Sequence, residues 1–315
     1  MELRQLRYFS AIAEHGTFSK AAEKLFVAQS ALSHQLAQLE DELGARLFHR
    51  SRRGAELTEA GKVFLAHAAA ILRQVEDARV SVRSASDAPA GRVVFGVPHS
   101  VSSALALPLM RAVRQRFPLV ELELTEELTG NLLRQLRAGQ LHLSILFDDG
   151  QLGEFTHTPL LSERMSLIGL PNDNGTAPPS CIALCDALKM ALILPASPHG
   201  VRPVIEAAAR SARCPPLENV TDISSISILR TSLLAGFGHT LLPIAPLQHE
   251  VETGLLQAIP VVSPPLSRTV SICASRHMPL SSAAQAVLRL TAELARELSL
   301  SGAWPDATPV DAETP

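Results

Sequence analysis

The sequence is poor in cysteine: four in 315 residues (Cys181, Cys185, Cys214, Cys273) do not make a disulfide framework. It has no uncharged apolar run of the ~18 residues that a membrane helix requires. The opening Met-Glu-Leu-Arg passes at once into a charged amphipathic stretch and leaves no room for a signal peptide. A cytoplasmic protein with no membrane partner is therefore expected. A formal net charge of only −3 excludes a chain that coats nucleic acid with its whole surface. Catalytic signatures are missing too: there is no His-Glu-x-x-His, no Gly-x-Ser-x-Gly and no phosphate-binding glycine loop. Gly236-Phe237-Gly238-His239 reads as a turn before a strand. The eleven histidines are scattered, and Cys181 and Cys185 lack the nearby histidines of a zinc site. Neither an enzyme, a metal nor a cofactor is expected.

What is present is a large apolar fraction, 46 %, with 19 % charged residues, enough for two or three packed units. Leu3, Leu6, Phe9, Ile12 and Ala13 recur at helical spacing, and Gly16 ends that helix. A short helix follows over Ser19 to Leu25, with Ala21 and Ala22 small enough to admit a second helix closely. Phe26 and Val27 read as an apolar plug in the turn. From Gln29 a longer helix places Leu32, Leu36, Leu39 and Leu43 on one face. Its other face carries Ser30, Ser33, His34 and Ala37, with Gln29 and Gln35 on the flanks, short unbranched groups that can enter a major groove and present donors and acceptors to base edges. That pattern alone fits a solvated helix face equally well. The balance shifts with Arg46, His49, Arg50, Arg52 and Arg53, an acid-free basic cluster that reads as a β-hairpin wing reaching phosphates.

These segments together resemble the LysR-type transcriptional regulators. The resemblance rests on Phe18-Ser19-Lys20-Ala21-Ala22-Glu23-Lys24-Leu25, Ala28-Gln29-Ser30-Ala31-Leu32-Ser33-His34-Gln35-Leu36, Leu39-Glu40, Leu47-Phe48-His49-Arg50 and Leu57-Thr58-Glu59-Ala60-Gly61. It implies a winged helix-turn-helix, a linker helix and a two-lobed α/β effector domain similar to periplasmic binding proteins. It also implies a regulator that binds partly palindromic double-stranded promoter DNA as a dimer or dimer of dimers, contacting RNA polymerase if it is an activator. Gln29, Ser33, His34 and the wing arginines match DNA-contacting positions of the family; Ser30 stands where most members have proline, which removes a rigid helix start. Leu6 to Phe9, Ala68 to Gln74 and Ile226 to Pro243 resemble a branch of the family that controls nitrogen assimilation. A redox-sensing or small-molecule-sensing regulator of another pathway is the alternative, and a solute-binding protein is the rival outside the class.

The expected DNA-binding domain is 1–58. A linker helix and hinge follow over 59–90, where Phe64, Ala68, Ile71, Val75, Ala78 and Val82 form a heptad seam through which two copies can pair. An alternating strand and helix pattern predicts an α/β effector domain over 91–300. Lobe I is expected over about 91–162 and 268–300, lobe II over about 163–267, with crossovers near Asp148 to Ser162 and Pro260 to Ser267. Ser301 to Pro315, rich in Pro, Ala, Thr and acids, reads as a flexible tail. In such folds ligands sit between the lobes, at strand ends and helix N-termini. Those places carry His99, Ser100, Val101, Ser102, Thr129, Phe147, Pro195, Ser197, His199, Ile223 and Ser224. Their hydroxyls and backbone amides suit a small polar or carboxylate effector, although each serine or threonine is also a good helix cap.

Overall fold

The computed structural model describes residues 1–51, 54–83, 88–148, 150, 152–171, 179–196 and 200–310. They form an N-terminal and a C-terminal compact unit.

The N-terminal unit opens with α1 (Leu3–His15), α2 (Phe18–Lys24) and α3 (Gln29–Leu43). The antiparallel hairpin β1 (Phe48–Ser51) and β2 (Gly54–Leu57) and the long α4 (Glu59–Arg83) follow. Gly16 and Gly44 stop α1 and α3 in left-handed conformations, φ 69° and 64°, that cost a Cβ-bearing residue dearly. The Thr17 hydroxyl accepts the Lys20 amide and starts α2. Leu6, Phe9, Ile12, Ala21, Leu32, Leu36 and Leu39 are buried together, as the spacing predicts. The Phe9 ring meets those of Phe48 and Phe64 at 5.3 and 5.0 Å, so wing and linker helix share the core of the three helices.

Two expectations give way here. Leu43 is 40 % exposed, because it ends α3 where the helix has run past the core. Phe26 is 95 % exposed: its left-handed backbone, φ 54°, turns the side chain outward and leaves Val27 to fill the angle between the helices. The linker helix divides differently from a simple seam. Thr58 caps it, its hydroxyl accepting the Gly61 amide at 2.9 Å and donating to the Arg46 carbonyl at 2.7 Å. Phe64, Ala68 and Ile71 then pack into the unit's own core, whereas Ala78 and Val82 are exposed and Val75 is half-buried.

In the C-terminal unit lobe I begins with β3 (Gly91–Pro98), α5 (His99–Arg116), β4 (Val120–Glu127), α6 (Thr129–Arg137), β5 (Leu143–Phe147) and β6 (Phe155–Arg164). Lobe II contains β7 (Ser166–Gly169), β8 (Ile182–Ala183), α7 (Leu184–Ala187), β9 (Leu192–Leu194), α8 (Arg202–Ser211), β10 (Val220–Asp222), α9 (Ile226–Leu234), β11 (Thr240–Leu242), α10 (Gln248–Glu252) and β12 (Gln257–Val262). The chain returns to lobe I through β13 (Ser267–Ser275), α11 (Ser282–Leu300) and β14 (Ala307–Pro309). Lobe I is one six-stranded sheet in the order β14-β6-β13-β5-β3-β4; lobe II is built on β11-β7-β12-β8 and the pair β10-β9. Each lobe has its own apolar core.

The chain passes between the two sheets at Met165 and at residues 263–266, whose ends are tied by the Met165 amide donating to the Leu266 carbonyl at 2.8 Å. The second crossover falls where the sequence places it. The first does not, because Phe155–Arg164 is a lobe I strand whose polar residues and Pro159 conceal its alternation. Its pairing with β13 slips between Val270 and Ser271, opposite Leu161 and Pro159. The expected tail is also corrected through residue 310: Trp304 is 1 % exposed in the lobe I core, and β14 pairs with β6. Residues 311–315 lie outside the described residues. Cys185 and Cys214 form a disulfide between α7 and the segment after α8, a pairing the cysteine count did not suggest; Cys181 is free and exposed. His142 is buried and its Nδ1 accepts the Val94 amide at 2.8 Å, while its own amide donates to the Val94 carbonyl, pinning the approach to β5 against β3.

Candidate DNA interface and effector cavity

The recognition face is held from behind. Leu32, Leu36 and Leu39 are fully buried, and at the end of α3 the buried Glu40 carboxylate fixes the wing: Oε1 accepts the Leu47 and Phe48 amides at 2.8 and 3.4 Å, and Oε2 accepts Arg46 at 2.7 Å. That bond and the negative charge of Glu40 raise the Arg46 pKa above its ordinary value. The Leu39-Glu40 motif carries this anchor in the sequence, but its wing-holding role is visible only in three dimensions.

In front of that support Gln29, Ser30 and His34 are exposed, and Ser33 and Gln35 are half-buried. Gln29 accepts the Ser19 hydroxyl at 3.1 Å, and Gln35 donates along the helix to Gln38 at 3.1 Å. Ala28, at the N-cap, supplies no side-chain acceptor, so the first amides of α3 keep the partial positive charge of a helix N-terminus. Arg50 belongs to β1 with its backbone opposite Ala55. Arg52 and Arg53 lie outside the described residues.

In the C-terminal unit a cleft opens between the two lobes. Of the sequence-predicted residues, His99, Ser100, Thr129, Phe147, Pro195, Ile223 and Ser224 line it. Val101 does not, because one step along α5 turns it into the lobe I core, and neither does Ser102, whose hydroxyl lies 3.1 Å from the His99 carbonyl and beside Glu126. Ser197 and His199 lie outside the described residues. Helix caps and contacts coexist here: the Ser224 hydroxyl accepts the Ala196 amide at 3.2 Å, and Ser225 caps α9. Apolar walls come from Leu128, Val201, Ile226, Leu229 and Leu242. Glu127 also lines the cavity and accepts Asn131 Nδ2 at 2.8 Å. Its neighbour Glu126 is pushed up by partial burial, but the Ser102 hydroxyl and His99 outweigh that and hold it below the usual carboxylate range.

The residue that sequence reasoning missed is Arg268. It lines the cavity from the start of β13 and is almost wholly buried, paired with the buried Glu163. A basic residue near the start of a strand that otherwise alternates hydroxyl and apolar side chains is the signal the sequence carries for it. Among the described residues no group of three His, Cys, Asp or Glu side chains could hold a metal ion, and no helix is long and apolar enough to cross a membrane.

Comparison with known proteins places both units. Residues 3–62 match the family model for bacterial regulatory helix-turn-helix proteins of the lysR family, and residues 86–296 match the LysR substrate binding domain. The nitrogen assimilation regulatory protein nac of Klebsiella aerogenes is 33 % identical over 301 residues, covering 95 % of this chain and 97 % of that protein. The DNA-binding transcriptional dual regulator OxyR of Escherichia coli is 29 % identical over 282 residues, 90 % of this chain and 92 % of that protein. Full-length OxyR from Pseudomonas aeruginosa superposes with a TM-score of 0.71 at 26 % identity, covering 94 % of this chain and 98 % of that one. A winged helix-turn-helix, a linker helix and a two-lobed substrate-binding domain in this order, matched along nearly the whole chain, make this protein a member of the LysR family of DNA-binding transcriptional regulators.

Proposed function

We propose that this regulator binds a partly palindromic promoter site as a dimer or dimer of dimers and controls genes of nitrogen assimilation in the cytoplasm. The observation that carries the DNA reading is the face of α3, where exposed Gln29, Ser30 and His34, with Ser33, stand on a helix whose back is fully buried. Gln29 and Ser33 read base edges, and Arg50, Arg52 and Arg53 hold phosphates. The outer end of the linker seam, half-buried Val75 with exposed Ala78 and Val82, joins two copies so that two recognition helices address two half-sites. The nitrogen reading rests on the similarity to the nac regulator and on nothing in the cavity. A small polar or carboxylate effector in the interlobe cavity sets the activity, and RNA polymerase is the partner if the protein activates.

Mapping the DNA bound in cells grown on rich and poor nitrogen tests the reading. Bound promoters should be two-fold related and should change with nitrogen supply; a set indifferent to nitrogen removes the pathway and leaves the DNA reading. Affinity for such a site should fall steeply with salt, with a slope near 0.9 per phosphate contact in log units, and replacing Arg50, Arg52 and Arg53 should flatten it. Changing Gln29 or Ser33 should relax base preference with the slope unchanged, whereas equal effects of both classes would remove the division of labour.

A second reading is favoured by the Cys185–Cys214 disulfide and the similarity to OxyR. In it, oxidation of this pair modulates the regulator. DNA affinity that is the same with the pair reduced, oxidised or replaced by serine would discard it.

A further inference from the structure

The missed arginine sits in a chain of buried contacts that spans three neighbouring strands. Arg268 and Glu163 face one another in the register of β13 and β6, and Ala307 of β14 faces Glu163 from the other side. The Arg268 guanidinium donates to Glu163 Oε2 through Nε at 2.8 Å and forms an ion pair with it, Nη2 to Oε2 2.7 Å, while Nη2 donates to Ser100 Oγ at 2.8 Å. Its Cζ lies 3.6 Å from the centre of the Phe147 ring. The other carboxylate oxygen of Glu163 accepts Trp304 Nε1 at 2.7 Å. These contacts leave one nitrogen over: Nη1 is buried and has no acceptor among the described residues.

A guanidinium has five N–H donors, and a buried cation that leaves two of them unused gives up interaction energy that any acceptor would restore. Arg268 and its partners Ser100 and Phe147 all line the cavity. The start of α5, an 18-residue helix whose N-cap Pro98 offers no side-chain acceptor, lines it as well, so first-turn amides add positive potential to the same wall. The wall is suited to an anion. Glu163 already balances the charge of Arg268, and Glu127 on the lining repels a second negative charge, which limits the ligand to one. The apolar residues opposite require an apolar body.

We propose that Arg268 is the residue that selects a small monoanion with an apolar body in this cavity, with Glu163 and Trp304 as positioning residues that hold its guanidinium with Nη1 unspent. The inference rests on the reading of the cavity as the effector site. It also gives the C-terminal segment a purpose: Trp304 seats the strand that carries Glu163, and through Glu163 it senses whether Arg268 is shared with a ligand.

The test uses the full-length protein, sodium hexanoate and sodium benzoate as probes, and their neutral amides as controls. Calorimetry should show saturable binding of the carboxylates and at least tenfold weaker binding of the amides. Trp304 is the sole tryptophan, so its emission should shift with the same midpoint. Arg268→Met combined with Glu163→Gln removes both buried charges together and should abolish the preference for carboxylate over amide while the fold survives. Trp304→Phe should weaken the carboxylates several-fold and leave the amides unchanged, a split that a merely structural role would not produce. Equal binding of carboxylate and amide by the parent protein overturns the role of Arg268 and leaves the effector cavity standing. Carboxylate binding with silent Trp304 emission, or undiminished preference in the double variant, overturns the inference in the same way. Failure of all four compounds to bind overturns the cavity reading and the inference with it.

Discussion

The two units of this protein treat charge in opposite ways. The N-terminal unit keeps an apolar interior and displays its chemistry outward: Phe9, Leu32 and Leu36 lie inside, while Gln29, Ser30 and His34 face water. Its deeply buried Glu40 serves the scaffold by holding the wing. The C-terminal unit draws an arginine and a glutamate into its core and brings the arginine to the wall of a cavity. A surface that meets DNA needs donors and acceptors free to exchange water for bases, and only its back must be rigid. A cavity for a small molecule must fix its polar groups beforehand, and burial among strands does so at the cost of desolvation.

The comparison predicts where each unit breaks. The largest effect should come from Arg268→Met alone, which strands the Glu163 carboxylate and should cost the C-terminal unit about 3–5 kcal/mol, read as loss of the Trp304 unfolding transition at lower urea; adding Glu163→Gln should recover most of it. A single variant as stable as the parent would mean that this interior tolerates a lone charge. Next is Gly61→Ala in the N-terminal unit. A Cβ at Gly61 would lie 2.1 Å from the Leu47 carbonyl oxygen, so α4 must move off the wing. The expected loss is about 1–3 kcal/mol, with weaker DNA binding and an unchanged Trp304 transition; a shift in that transition would show that the units do not unfold separately.

The linker helix divides the same way along its length. Ile71→Asp should unfold the N-terminal unit, because Ile71 packs in its core, whereas Val82→Asp should leave that unit folded and shift the mass measured by light scattering toward the monomer. A full-mass Val82→Asp protein would exclude the exposed half of the seam from dimerisation. The smallest effect is one of pH. Burial lowers the pKa of His239 from its ordinary 6.5, so the folded C-terminal unit resists protonation there while the unfolded chain does not. The contribution of His239 is complete above pH 6.5 and should fade as pH drops toward the lowered folded value. His239→Gln should flatten that part of the urea midpoint against pH. Cysteine labelling separates surface from interior too: Cys181 should react with a maleimide, while burial first and the negative Asp148 second push the Cys273 thiol up to about 12 and keep it inert.

How much of this was legible in the sequence follows from the same contrast. Helical spacing reveals Leu32, Leu36 and Leu39, and therefore the opposite face, because a helix binds its two faces to one local period. It misjudged Phe26 because left-handed backbone at a non-glycine residue carries no composition signal. Strands β3, β4, β5 and β13 were readable as strand-like stretches of recurring apolar residues; β6, with Thr156, Thr158 and Pro159 among its residues, was not. His99, Ser100, Phe147, Ile223 and Ser224 could be proposed as cavity residues because a doubly wound fold places strand ends and helix starts at its crevice.

By itself the sequence determined the family, the order of the units and the polar face of the recognition helix, since each depends on residues close along the chain. Tertiary structure alone decided that Arg268, Glu163, Ser100 and Trp304 meet. They come from segments up to 204 positions apart, from Ser100 to Trp304, and their partners are set by sheet order. The same is true of the last strand, whose polar composition resembles a tail: it is held by Trp304 and Ala307 in the core, an ion pair of Asp306 with Arg164 and a backbone ladder to β6, none of which leaves a period in the sequence.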